Sequence, residues 1–538
     1  MSAEPSAAPA QGEIWEGEAS VPTDSTVPVP GPAPTPRFKP IDRQQFTWAA
    51  LDVDQLIPPD HLARAIWEMV GRLNWSRFWA QSKAVEGVAG CTPYDPRLLA
   101  SLWILAYSEG VGSARAIERR CEYHPAYRWL TGLAVVGHHT LSDFRVAHQE
   151  RLDELFVQVL TVLADEGLIT LERVMQDGTK VAAAASPRSF HREATLRRHL
   201  EAAQERVRAM ADPQLEESEE LSAGQRQAQE RAARERLERM EQSLQELEQV
   251  RAETKPEGRE ECRVSETEPE ARKMKQPVGG GYAPSYNLQV VTDATEDVIV
   301  GVQVVQARND QQQLEAGLDR LQQQTGVVPK EAVVDEGYLT RATVLEMEQR
   351  GVDLISAGQL VEGTYNQQKR NQRGVSAEFF PEAFVYDATR DLYVCPAGQE
   401  LSYRYEKHDR EGVERHHYQA HAAQCRACPH QPQCCPIRGA GRVNGRIIVR
   451  TENVPAVAAF VEKMKTPEAQ AIYQQRKRIA EFPHLWLKEK LGLRRFHVRG
   501  LVKVSCEALW ACLTYNLQQW WRLRWRPQVI APTAAAEG

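Results

Sequence analysis

The sequence predicts an α+β, multidomain chain in which a helical N-terminal region precedes a mixed-sheet core interrupted by inserts. Three observations predict it. At 538 residues the chain exceeds what one compact core organises. Apolar residues recur at helical spacing from about 55 to 165, and strand-like runs begin only at Leu171. Two segments among those runs match neither pattern: a charged helical stretch at 195–251, and a Gly-, Gln- and Tyr-rich stretch at about 360–465.

Composition narrows the function classes. The longest apolar stretch, around Leu98 to Tyr107, falls well short of the roughly 18 residues a membrane span needs, so no membrane partner is expected. The N-terminus has Glu4 and several prolines but no basic-then-apolar signal, and a cytoplasmic, nucleoid-associated location is expected. A formal net charge of -7 argues against a nucleic-acid partner only for the chain as a whole. Locally, Arg476, Lys477, Arg478, Lys488, Lys490, Arg494, Arg495, Arg499 and Lys503 form a basic stripe opposed by Glu481 and Glu489 alone. It fits phosphate binding, and equally a solvated helix face.

Residues 1–40, rich in Pro, Ala, Ser and Glu, read as a disordered tail. Within 41–165, Leu98, Leu99, Leu102, Leu105 and Ala106 make an apolar helix face, Gly110 and Gly112 mark a turn, and Ser113 is placed to cap the next helix. A second unit runs from Ala126 to Leu133, turns at Gly137, His138 and His139, and restarts with Thr140 capping a helix that carries Phe144, His148 and Arg151. Short helices joined by glycine turns suit a helix-turn-helix DNA-binding domain, and also a plain bundle.

The core begins in 166–190, where Leu171 to Gln176 read as a strand ending at Asp177-Gly178-Thr179-Lys180. In the insert at 191–260, Ala233, Leu237, Met240, Leu244 and Leu247 lie at near-heptad spacing with Pro213 as a break. An antiparallel helical hairpin is predicted, with an intermolecular coiled coil as the alternative. Residues 261–358 return to the core: Tyr286 to Thr292 and Val298 to Gln306 form a hairpin through Ala294-Thr295-Glu296-Asp297. A helix with Leu314, Leu318 and Leu321 precedes a strand ending at Asp335-Glu336-Gly337-Tyr338, and a further helix leads to a strand at Val352 to Ser356. This order is that of a ribonuclease H-like mixed sheet. A cysteine-rich insert at 359–466, basic helices at 467–525 and a disordered tail at 526–538 complete the chain.

An aspartate at a strand end is most often a turn residue. Here Asp177 and Asp335 each close an apolar strand with a glycine following, and Glu481 is one of two carboxylates in a long basic run. Converging carboxylates suit Mg²⁺ or Mn²⁺, hard ions that seek oxygen. Two such ions clamp the attacking and departing oxygens of a phosphodiester displacement, whether the nucleophile is water or a 3′-hydroxyl.

The sequence resembles the bacterial insertion-sequence transposases that carry an Asp-Asp-Glu triad, from about Phe38 to Trp521. The N-terminal likeness rests on Tyr94-Asp95-Pro96-Arg97, Ser113-Ala114-Arg115-Ala116-Ile117-Glu118, Phe144-Arg145 and His148. In the core it rests on Asp177-Gly178-Thr179-Lys180, Tyr286-Asn287-Leu288-Gln289, Asn309-Asp310 and Asp335-Glu336-Gly337-Tyr338. A Tyr-Arg-Glu-Lys signature follows as Tyr473, Arg476, Glu481 and Lys488, then Arg495-Phe496 and Arg499-Gly500. The resemblance implies that Asp177, Asp335 and Glu481 hold two metal ions. It implies also that Tyr473, Arg476 and Lys488 contact DNA phosphates, with Arg495 and Arg499 beside them.

One departure from the signature stands out. Four residues separate Arg476 from Glu481 where the commonest form has three, and Pro483 would kink or restart the helix. Lys488 keeps its place seven residues after Glu481, and Glu489 is the fallback third acid.

Cys425, Cys428 and Cys434, with Cys395 upstream, supply the thiolate count of a closed structural Zn²⁺ site. Cys435 competes with Cys434, and buried thiols without metal are the alternative. Taken together, the resemblance implies a dimer that binds the terminal inverted repeats of its element, cleaves double-stranded DNA and joins the ends to target DNA. A catalytically inactive, transposase-derived DNA-binding protein is the alternative; a nuclease that does not join ends and a helical scaffold are weaker rivals.

Overall fold

The computed structural model describes residues 50–80, 92–147, 149–210, 222–276, 281–357, 371–408, 414–436, 444–451 and 455–530. The expected 1–40 tail, most of the 526–538 tail, His148 and Pro213 lie outside them.

Helices come first: α1 (Leu62–Arg72), α2 (Ser76–Trp79), α3 (Pro96–Ser108), α4 (Ala114–Tyr123), α5 (Pro125–Thr131), α6 (His138–Val146) and α7 (Gln149–Asp165). Asp95 starts α3 by accepting the Arg97 amide at 2.9 Å, with Pro96 in the first turn. Gly132 ends α5 in the left-handed region at φ 59. The expected caps of the next helices are not made. Ser113 precedes α4 without a side-chain bond, and Thr140 lies inside α6, which starts earlier at Gly137. There His138 Nδ1 meets Glu118 at 2.7 Å and holds the first turn. Arg145 is a core residue, donating to the Gly112 carbonyl at 2.8 Å under the Trp103 ring.

The sheet is mixed. Its strands are β1 (Arg173–Ala182), then β4 (Arg272–Lys275), β5 (Tyr282–Asp293), β6 (Ile299–Val305), β7 (Glu331–Val334) and β8 (Asp353–Ser356), while β2 (Phe190–His191) and β3 (Val264–Ser265) form a separate ribbon. The order is β4-β5-β1-β7-β8, with β6 also on β5. β1, β5 and β6 pair antiparallel, whereas β7 and β8 run parallel to β1. The β5–β6 turn is pinned by Asp293, whose carboxylate accepts the amides of Leu171 at 2.7 Å and Thr295 at 2.8 Å.

Between β2 and β3 stand α8 (Glu193–Met210) and α9 (Ala223–Glu253). Glu193, at the start of α8, pairs with Arg251 near the end of α9 at 2.7 Å, so the two helices are antiparallel. Helices α10 (Gln313–Thr325) and α11 (Arg341–Gln349) separate β6, β7 and β8.

A second, antiparallel sheet follows, with order β13-β12-β11-β10-β9: β9 (Val385–Asp387), β10 (Leu392–Val394), β11 (Glu400–His408), β12 (Glu414–Ala420) and β13 (Ile447–Thr451). It has its own small core of Phe384, Leu401, Tyr418, Ala420 and Ile448.

The chain closes with helices that return to the first sheet: α12 (Pro455–Lys463), α13 (Pro467–Ile479), α14 (Glu481–Glu489) and α15 (Leu501–Trp520). α15 is buried along nearly its whole length. Asn516 on it donates to the Ile299 carbonyl at 2.7 Å and accepts the Ile299 amide at 2.9 Å, while Trp510 donates to the Arg145 carbonyl. One apolar core therefore runs without a break from the N-terminal helices through the sheet to Trp525.

Candidate active site

The parallel register sets Arg173 opposite Glu331, Val174 opposite Ala332 and Met175 opposite Val333. Carried two residues further it brings Asp177 level with Asp335, where β7 has ended and β1 continues. Asp177 is thus a mid-strand residue, not the strand-end residue its Asp-Gly-Thr-Lys context suggests. Pairing with β5 keeps β1 extended as far as Ala182. Gly178 serves close packing, not a turn: a Cβ there would collide with Asp310 Oδ1 and Gln289 Nε2. Asp335 sits just past β7, where its Oδ1 accepts the Gly337 amide at 2.8 Å.

The third acid arrives from α14. α13 stops at Ile479, Ala480 is the junction and Glu481 opens the new helix, with Pro483 in its first turn, where a missing amide breaks no helical hydrogen bond. The junction absorbs the extra residue of the signature. Arg476 consequently reaches both acids: Nη1 lies 3.7 Å from Asp177 Oδ1, and Nη2 donates to Glu481 Oε1 at 3.1 Å.

One face of α14 lies on β1. His484 Nε2 donates to the Asp177 carbonyl at 3.1 Å, and Lys488 Nζ donates to Thr179 Oγ1 at 2.5 Å. Burial drives the His484 pKa down to about 4, so the ring is neutral, and the nearby Lys488 charge adds to the effect. Burial likewise lowers the Lys488 pKa, with Arg494 contributing. Burial pushes the Asp177 carboxyl up to about 7; Arg476 opposes the rise, while the charges of Asp335 and Asp310 reinforce it.

Asp310 had no role assigned from the sequence. Its Oδ1 accepts from Asn287 at 2.8 Å and Gln289 at 2.7 Å, and Gln289 in turn accepts from Gln176 and from the Tyr338 hydroxyl. A Cβ at Gly337 would sit 3.0 Å from Asp335 Oδ1 and 3.7 Å from Asp310 Oδ2, so both carboxylates border this glycine. The signal was present in the strands. Asn287 and Gln289 are polar, alternate on one face of β5, and are buried.

The remaining candidates lie on α13, on α14 and on the segment that follows it. Tyr473 packs with Arg476, whose guanidinium is 5.9 Å from the ring centroid. Arg495 is exposed on a segment that runs beside Ala182, and Arg499, also exposed, donates to the Ala184 carbonyl at 3.1 Å. The fallback acid Glu489 is paired with Arg494.

Cys395, Cys425, Cys428, Cys434 and Cys435 line one cavity of about 30 Å³ in the second sheet's domain. Backbone amides point at two sulfurs, Gln399 N at Cys395 Sγ (3.2 Å) and Arg446 N at Cys425 Sγ (3.4 Å). Burial raises the Cys434 thiol and pushes Cys435 up to about 12. Among the described residues, sets of three ligand atoms within 4.8 Å of one another are His191, His199, Glu266 and Glu406, Glu414, His416; the three acids and the cysteines are spread more widely.

A family model described as a transposase DDE domain matches residues 394–521, and one described as a transposase domain (DUF772) matches residues 51–147. These two matches indicate an insertion-sequence DDE transposase. The first match contains Tyr473, Arg476, Glu481, Lys488 and the five cysteines of the cavity, while Asp177 and Asp335 fall outside both matches. No curated protein and no solved structure matches it. None of its described helices is long and apolar enough to cross a membrane.

Proposed function

We propose that this transposase, of the Tyr-Arg-Glu-Lys branch and with a ribonuclease H-like core, binds the terminal inverted repeats of its element. It then cuts the ends and joins them to target DNA as a dimer, in the nucleoid. Asp177, Asp335 and Glu481 are the carboxylates that would hold two Mg²⁺ or Mn²⁺ ions. The observation that carries this reading is Arg476, which links Asp177 of β1 to Glu481 of α14 across 304 residues of sequence (481 − 177).

The donor set fits such ions. It is all oxygen, and a carboxylate that burial, reinforced by neighbouring acids, holds protonated to about pH 7 is relieved by a cation. When bound, the ions would activate a water or 3′-hydroxyl and stabilise the departing oxygen. Arg476 balances the acids' charge, and His484, neutral at working pH, fixes the backbone of Asp177 without adding charge. Tyr473, Lys488, Arg495 and Arg499 would position the phosphates. Asp310 joins the set as a positioning acid. The cysteine cavity suits a structural Zn²⁺ held by Cys395, Cys425, Cys428 and Cys434, since amide donors already face two of the sulfurs.

The test is incubation with the element's own ends in Mg²⁺ and in EDTA, with products mapped. Ends joined to new DNA are expected in Mg²⁺, and Asp177→Ala should lower their yield by more than about 100-fold. Cleavage that persists in EDTA, or normal joining by Asp177→Ala, overturns the reading. End binding with no cutting by the wild-type chain would mark an inactive DNA-binding descendant.

A further inference from the structure

We infer that His191, His199 and Glu266 form a transition-metal site at the neck of the α8–α9 insert, for a borderline ion such as Zn²⁺. The ribbon β2–β3 pairs Phe190 with Ser265 and His191 with Val264, so the entry and exit of the insert lie side by side. α8 begins two residues after His191, and its second turn brings His199 back over the ribbon, while Glu266 directly follows β3. Three separate segments thus deliver two imidazoles and one carboxylate to one point.

The ligand atoms are close enough to share one ion. His199 Nδ1 lies 2.6 Å from Glu266 Oε2, His191 Nε2 lies 3.7 Å from Glu266 Oε1, and the two rings meet edge-on with centroids 5.3 Å apart. Donors about 2.1 Å from a common ion stand on the order of 3.5 Å from one another, so small side-chain rotations suffice. The backbone beneath is fixed: the Glu266 amide donates to the Ser189 carbonyl at 2.9 Å, and the Ser189 and Ser265 hydroxyls meet at 2.7 Å. Imidazole nitrogen selects Zn²⁺, Co²⁺, Ni²⁺ or Cu²⁺ over Mg²⁺, so this site would not compete with the acids for their ion. With three protein ligands, a water completes the shell.

An ion here has a mechanical consequence. The insert is otherwise held by the small cluster Leu196, Leu247, Val250, Cys262 and Val264 and by the buried Arg272–Glu246 pair. Clamping entry strand, first helix and exit strand together fixes the angle at which the helical arm leaves the sheet.

The test uses the full-length chain carrying Cys425→Ser and Cys428→Ser, in excess Mg²⁺, titrated with Co²⁺ alone. One equivalent should bind with visible ligand-field absorption, without thiolate charge transfer, and Zn²⁺ should displace it. His191→Ala and Glu266→Gln should each weaken binding by about tenfold or more, the second preserving volume and hydrogen bonding. Circular dichroism of the same samples confirms that the helices persist. Affinity unchanged in both variants, or no binding tighter than about 1 mM, overturns the proposal and leaves ordinary His–Glu ion pairs.

Discussion

Asp177 is the residue at which burial, charge and chemistry meet. Its carboxyl is raised from an ordinary value of 3.8 to about 7, chiefly by burial. In the unfolded chain it loses its proton near pH 4, whereas the folded, metal-free protein keeps it until about pH 7. The unfolded state therefore gains from ionisation first, and stability must fall as pH rises from about 4 to about 7. A bound cation removes that cost by pairing with the carboxylate. The expected outcome is a metal-free thermal midpoint lower at pH 8 than at pH 5, restored by Mg²⁺ at pH 8 and hardly moved by it at pH 5. Asp177→Asn should flatten this site's share of the profile and lose the Mg²⁺ response. An Asp177→Asn protein with the wild-type dependence on pH and Mg²⁺ would disprove the assignment.

At the scale of elements, what the sequence disclosed and what it hid have separable causes. The β5–β6 hairpin, α10, α11 and β7 were legible because each has an apolar period of its own and a turn at its boundary. The second half of β1 was not. Asp177 to Lys180 has the composition of a turn, and only the long antiparallel partner β5 makes it a strand. The role of Asp310 was half hidden: it lies on a connection, and its signal is the pair of polar residues Asn287 and Gln289 on one face of β5, whose partner only the fold discloses. The α13–α14 break was half legible. Pro483 announced it, but that the break restores the Arg476–Glu481 contact depends on three-dimensional placement. With Pro483→Ala, residue 483 regains an amide able to bond the Ile479 carbonyl, and one continuous helix becomes possible. Five residues at about 100° each would turn Arg476 some 140° away from Glu481. End cleavage should fall about tenfold or more while the melting temperature holds, since Pro483 stands in a first helical turn where it breaks no hydrogen bond and alanine is the better helix former. Unchanged cleavage would mean that the junction does not set the contact.

For the whole molecule, α15 decides how the parts cooperate. The N-terminal helices have the look of a separate domain in sequence, yet their core is completed by a helix from the far end of the chain. That helix is also stitched to the sheet edge through Asn516, which satisfies both backbone groups of Ile299 in a buried setting. Asn516→Leu keeps the volume close but leaves that amide and carbonyl without partners. A buried unpaired polar group costs about 1–3 kcal/mol, so the variant should lose about 2–4 kcal/mol in urea unfolding. Because α15 packs on α3, α6, α7 and β6 at once, the loss should not stay local. Hydrogen exchange should show the amides of α3 and those of β6 becoming less protected by the same free energy, as one cooperative unit. If α3 kept its wild-type protection while β6 lost its own, the helical region would be an independent domain after all, and the continuous core would be only a contact between two.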